Sequence, residues 1–196
     1  MPIKDGREYR AIELTQFNLS EEGYVVEGYA TTFDQDYELY DGYNERIARS
    51  AMNDADMSDV IFLYDHAGLV MARQRNNTLA VSCDDHGLFV HADLGGSQQG
   101  RDLHEAIKNG LVDRMSWAFT VAEDGWDYDP VSRTATITRI SKVFDVSAVS
   151  RPANEYTEIA ARSYFDGVIE AEKQELLQRT KDAEERQKLA LRMKLL

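Results

Sequence analysis

A chain of 196 residues, 43% hydrophobic and 29% charged with 3 prolines, has the size of one domain with a sizeable core plus an appendage. Its composition is that of a soluble folded protein, which sets aside the disordered, collagenous and membrane classes. A net charge of -13 argues against nucleic-acid binding, which needs clustered Lys and Arg to displace counterions; an acidic surface serves solubility or attracts a basic partner.

The lone Cys83 leaves no internal disulfide and no multi-cysteine zinc site, and it suits a reducing compartment. The amino terminus MPIKDGREYR has no apolar run of signal-peptide length, and no stretch approaches the roughly 20 apolar residues that span a bilayer. The expected setting is cytoplasmic, with no membrane partner.

In chain order, REYRAIEL and GYVVEGYATTF alternate as antiparallel strands across the turn residues SEEG. The acidic stretch DQDYELYDGYNE reads as a solvated loop, and ERIARSAMNDA has the spacing of one or two helical turns. DVIFLYDH is an apolar strand ending on His66. NTLAVSCD and GLFVHADL form a hairpin across DDHG, in which Gly87 is available for positive φ. After LGGSQQG, a flexible connection that could gate substrate, RDLHEAIKNG is a helix with Leu103, Ala106 and Ile107 on one face and Gly110 as its stop.

DRMSWAFTVAED is then a strand, GWDYDPVSRT a hairpin tip, and TATITRISKVFDVSAVS one long or two successive strands rich in Val, Ile and Thr. Short strands that mostly adjoin in sequence predict an α+β fold, mainly antiparallel, with a closed or nearly closed β-barrel, a few surrounding helices and a C-terminal helical tail. The expected domains are residues 1–163, the barrel, and 164–196, the tail. The tail carries 7 acidic and 7 basic residues, so the first part holds the whole net charge of -13. Ile169, Leu176, Ala183 and Ala190 recur every seven residues beside charged Glu172, Arg179 and Arg186, a seam for docking or weak association, or simply a solvated helix.

Four histidines are available for chemistry. His86 lies in a polar turn and His104 on the exposed side of a helix, both read as surface, while His91 sits on a strand. His66 closes an apolar strand before Ala-Gly, which suits a ring facing a cleft. Ser116, in RMSWAF, lacks the Gly-x-Ser-x-Gly surroundings of a nucleophile elbow, and spacing alone cannot pair it with a base. Asp34, Asp36, Glu38 and Glu45 match the first, third, fifth and twelfth places of a calcium loop, but Leu39 stands where the turn requires Gly. Gly95, Gly96 and Gly100 lack the spacing and lysine of a phosphate loop. No metal or cofactor is expected.

Taken together, GYATTFD, ERIARSAM, FLYDHAG, DDHGLFVHADL, AIKNGLVDRMSWAFTV and FDVSAVSRPANEYTEIA resemble, in order and spacing, the prohead maturation proteases of tailed bacteriophages, with capsids of the HK97 type and a fold similar to that of the herpesvirus assembly proteases. The resemblance covers roughly residues 22–162. It implies that His66 is the catalytic histidine and Ser116 the nucleophile. Ala118 and Ala72 depart from the pattern where Gly is usual, each by one methyl group.

The resemblance also points to Asp145 as the acid that orients His66, because a strand-borne carboxylate among Val and Phe needs a partner if it is buried. The alternatives are His91 as a second histidine, or an Asp145 that simply pairs with Arg114, Arg139 or Arg151. Oxyanion donors are expected near Ser116 or in the Arg151 to Asn154 turn, with Arg151 contributing charge. The implied activity is that of a serine endopeptidase cutting the scaffold-like part of the major capsid protein and its own chain inside the assembling procapsid in the host cytoplasm. The tail would suit a removable targeting segment. A catalytically inactive scaffold protein and a small-ligand-binding barrel are the other open readings.

Overall fold

The computed structural model describes residues 6–13, 18–19, 23–40 and 42–150 and, in the C-terminal stretch, 167, 170–171, 173–175, 177–183 and 186. Along the chain run β1 (Glu8–Glu13), β2 (Asn18–Leu19), β3 (Val25–Thr32), β4 (Asp36–Tyr40), β5 (Tyr43–Ile47), β6 (Ile61–Tyr64), β7 (Ala67–Arg73), β8 (Leu79–Cys83), β9 (Gly87–Asp93), α1 (Gln98–Lys108), β10 (Arg114–Val121), β11 (Trp126–Asp129), β12 (Thr134–Ile137) and β13 (Ile140–Val149). Short 3-10 turns lie at Arg49–Met52 and Gln74–Asn76.

The mainly antiparallel α+β class holds, but the expected barrel does not: the strands form three open sheets, ordered β1-β10-β13-β6-β7, β11-β12-β5-β4 and β2-β3-β9-β8. A closed barrel needs its first and last strands to pair so that no edge is left. Here β6 lies parallel to β13 and β5 parallel to β12, so strands far apart in sequence share a sheet. Among the described residues no pairing joins the two outer strands of any sheet, so each keeps two edges. On the edge strand β7 the ladder with β6 passes from Ala67 directly to Ala72, leaving residues 68–71 out of register.

The first sheet follows from its sequence. Met115, Trp117 and Phe119 alternate along β10 and enter the core with Phe62, Val146 and Ala148, and the Trp117 and Phe119 rings stack with centroids 4.0 Å apart. Burying each such large side chain contributes about 1.5–3 kcal/mol. The opposite face of β10 is also buried, but by small residues, Ser116 and Ala118. That difference between the two faces places the candidate site.

Two local expectations are corrected. Helix was expected over ERIARSAMNDA, yet residues 43–47 are strand, because Asn44 to Ile47 pair in parallel with Thr134 to Ile137 and burial alternates along them. Only Arg49–Met52 turns helically. Nor is the acidic stretch a solvated loop. β4 and β5 form a hairpin in which Glu45 is wholly buried and accepts a bidentate pair from Arg10, both contacts 2.6 Å, together with the Tyr37 hydroxyl. Asp36 is held by Arg46 at 2.6 Å. Two of the four carboxylates in the calcium pattern are thereby committed to arginines.

α1 begins at an N-cap, Ser97, whose hydroxyl accepts from the Gly100 N–H at 3.0 Å. Two compact units comprise residues 1–158 and 159–196, and the expected boundary between 163 and 164 lies outside the described residues. In the second unit the described residues of 167–186 are helical and exposed, with Arg179 paired to Glu175 one turn back. Of the seven-residue seam, Ala183 is exposed and the side chains of Ile169, Leu176 and Ala190 lie outside the described residues. No described helix is long and apolar enough to cross a membrane.

Candidate active site

In a β-sheet, residues paired across neighbouring strands present their side chains on one face, and so do residues two apart along a strand. One row of the first sheet therefore reads Ala11, Ser116, Ser147 and Leu63, and the next reads Tyr9, Ala118, Asp145 and Ile61. Two hydroxyls, a carboxylate and two methyl groups make up the middle of this face. Ser116, Ala118 and Ser147 have no exposed surface, and Asp145 keeps 4%.

His66 reaches the face from a turn. Tyr64 pairs with Ala67, so Asp65 and His66 alone connect β6 to β7, and both have left-handed backbone, φ 48° and 54°. Positive φ at both central residues is the signature of the type I′ hairpin turn. For non-glycine residues that conformation costs about 1–2 kcal/mol each, so it persists only where surrounding bonds enforce it. Asp65 supplies them: its N–H donates to the Ala148 carbonyl at 3.0 Å, and its carboxylate accepts from the Ser150 N–H at 3.1 Å and the Ser150 hydroxyl at 3.3 Å. The turn is fastened to the end of β13, and the imidazole lies over the hydroxyl row.

The ring makes two short contacts. Nε2 is 2.7 Å from Ser116 Oγ, and Nδ1 is 2.6 Å from Asp145 Oδ1. A carboxylate can only accept, so Nδ1 carries the proton and Nε2 is left to accept from the serine hydroxyl. Ser147 Oγ is 2.8 Å from Asp145 Oδ1 and 3.1 Å from Nδ1. Tyr9, on β1, meets the ring edge-on with centroids 4.7 Å apart. The His66 side chain is 16% exposed while Ser116 has no exposed surface. Chemically, this is a serine whose proton can pass to a neutral imidazole, with a buried carboxylate behind it to stabilise the resulting cation.

The sequence matches the family described as caudovirus prohead serine protease over residues 10–169. The chain belongs to that family. It is also 29% identical over 150 residues to the prohead protease of Enterobacteria phage HK97, an alignment covering 74% of this chain and 62% of that protein. The chain thus spans less than two thirds of the length of the curated relative it matches. No solved structure matches it.

Within this member of the prohead protease family, Ser116, His66 and Asp145 come together, and the other candidates among the described residues go elsewhere. His91 Nδ1 bonds Glu27 Oε1 at 2.7 Å on the β3–β9 sheet. Arg139 pairs with Asp124, and Arg114 lies 3.7 Å from Asp113. Arg151 and the turn at 151–154 lie outside the described residues. His104, expected at the surface, is buried at 4% exposure with its ring edge-on to Tyr24. His86 packs edge-on against Tyr29.

Neither departure from the family pattern needs glycine, since Ala118 and Ala72 occupy paired strand positions without positive φ. Among the described residues no cluster of three or more His, Cys, Asp or Glu is arranged for a metal ion. Sequence reasoning passed over Ser147, Asp65 and Tyr9. Ser147 had a readable signal, being two residues from Asp145 on one strand and hence on the same face. Tyr9 had none, because nothing local announces that β1 pairs with β10.

Proposed function

We propose that this protein is a serine endopeptidase of procapsid maturation, in which Ser116 attacks the scissile carbonyl, His66 takes its proton and returns it to the leaving amine, and Asp145 orients His66. The observation that carries this reading is the continuous hydrogen-bonded path Asp145 Oδ1, His66 Nδ1, His66 Nε2, Ser116 Oγ, with steps of 2.6 and 2.7 Å across the ring. Proton transfer from Ser116 to Nε2 requires the tautomer with its proton on Nδ1, which the Asp145 contact favours, and the cation formed is stabilised by that carboxylate in a buried site. The strained turn at His66 supports the same reading, since such backbone is retained where position matters more than local stability.

Family membership supports the reaction class, and the HK97 relative supports a procapsid setting. The natural substrates in this proposal are the scaffold-like part of the capsid protein made with it and the protease chain itself, cut inside the assembling shell in the host cell. The test is co-expression of the wild-type chain, or its Ser116→Ala variant, with that capsid protein. Defined shorter fragments of the capsid protein, and of the protease, are expected with wild type only. Identical banding in the two cultures would make the protein a non-enzymatic assembly factor.

A further inference from the structure

Ser147 carries a hydroxyl that a serine, a histidine and an acid do not by themselves require. It is wholly buried on β13, directly in register with Ser116 on β10. Its Oγ, Asp145 Oδ1 and His66 Nδ1 form a closed triangle with sides of 2.8, 2.6 and 3.1 Å. Space alone does not explain a hydroxyl, because the neighbouring positions on the same face, Ala11 and Ala118, are alanines. A buried hydroxyl without a partner is costly, whereas one that donates to a buried carboxylate supplies what that carboxylate lacks.

The proton inventory fixes the directions. Asp145 only accepts, so both the Ser147 O–H and the His66 Nδ1–H point at Oδ1, and a Ser147 lone pair faces the Nδ1–H from the longer side of the triangle. Charge that Oδ1 shares with the Ser147 hydroxyl is charge it does not offer to the imidazole. Resting on the proposed peptidase reading, we infer that Ser147 is a positioning residue that moderates the pull of Asp145 on the His66 Nδ1–H and so sets how readily Nε2 accepts the Ser116 proton.

The groups facing the ring are Tyr9 from β1, Ser116 from β10, and Asp145 and Ser147 from β13, with Asp65 its chain neighbour. Of these, Asp145 is the carboxylate bonded to a ring nitrogen, so a change in its hydrogen bonding reaches the imidazole directly. Without the Ser147 hydroxyl, Oδ1 pulls harder on Nδ1–H and the protonated ring is favoured. The inactive form then persists to higher pH.

The test compares wild type, Ser147→Ala and the hydroxyl-retaining Ser147→Thr in the rate at which a fluorophosphonate modifies Ser116, from about pH 5 to 9 where an imidazole titrates. The acid limb of Ser147→Ala is expected to move up by about one pH unit, the scale of one hydrogen bond to a charged group, and that of Ser147→Thr to stay with wild type. A parallel NMR titration of the His66 ring in a Ser116→Ala background reads the same shift without any turnover. Ser147→Cys, which keeps the volume and donates weakly, replaces Ser147→Ala if the latter does not fold. Superimposable limbs and ring titrations would reduce Ser147 to a space filler and overturn the inference while leaving the peptidase reading intact. A wild-type chain that is never modified at Ser116 would overturn the peptidase reading instead, and the ring titration would still judge Ser147.

Discussion

Replacing Asp145 by asparagine removes one negative charge and leaves the side chain's volume almost unchanged. Asp145 sits at 4% exposure with Oδ1 2.6 Å from His66 Nδ1, so the charge it loses is one that would face the imidazolium formed in the proposed attack by Ser116. Taking the two charge centres as about 4 Å apart in a partly desolvated site, their attraction is about 4 kcal/mol, which converts to a rate loss of about a thousandfold. The amide oxygen can still accept from Ser147 and from Nδ1–H, so the fold should hold. The assay is the rate of fluorophosphonate modification at neutral pH beside a thermal melt. A loss of about a thousandfold with an unchanged melt is expected. A loss below about tenfold with the melt unchanged would refute the reasoning, because the charge would then not be stabilising the cation.

Ala118 lies in register between Tyr9 and Asp145 beneath the site, so Ala118→Val should destabilise by about 1–3 kcal/mol through overpacking and slow Ser116 modification, whereas Ala118→Gly should retain it; equal rates for Val and wild type would count against this packing. Arg10→Met leaves the buried Glu45 carboxylate without its cation and should cost about 3–5 kcal/mol, or about 6–20 °C in melting temperature. Adding Glu45→Leu should restore much of this, and a double variant no better than Arg10→Met would contradict the account. Burial, then the Glu45 charge, push the Tyr37 phenol well above its ordinary value of 10.0. The folded state therefore holds that proton while the unfolded chain releases it, and the contribution to stability present below about pH 10 is lost as pH rises further. Tyr37→Phe should flatten the alkaline fall in urea midpoint, and an unaltered fall would place its origin elsewhere.

How far the sequence reveals the molecule differs from element to element. β13 was legible because Val, Ile and Thr recur with period two, and β10 because its large apolar residues alternate with small ones. The residues around ERIARSAM were not, since their strand state comes from parallel pairing with β12, some ninety positions away, and such pairing leaves no local mark. The same holds for Glu45, which reads as a solvent-facing acid until Arg10, 35 residues upstream, is brought to it.

At the site, the sequence offered a histidine at a strand end and a strand-borne acid. It placed the turn at Ala-Gly, whereas Asp65 and His66 themselves form it, held in left-handed backbone by bonds to Ala148 and Ser150. The barrel was inferred from strands adjoining in sequence. The strands instead form three open sheets with two parallel pairings, and periodicity cannot distinguish a strand's parallel from its antiparallel partner.

The central claim is that Ser116 is a nucleophile activated by His66 across a 2.7 Å contact. Mass-spectrometric mapping of the wild-type chain after prolonged exposure to a fluorophosphonate tests it most directly, with His66→Ala treated alongside. A single adduct on Ser116 that is nearly absent in His66→Ala is the predicted result. An adduct on another residue, or on Ser116 at the same rate in both proteins, would contradict it.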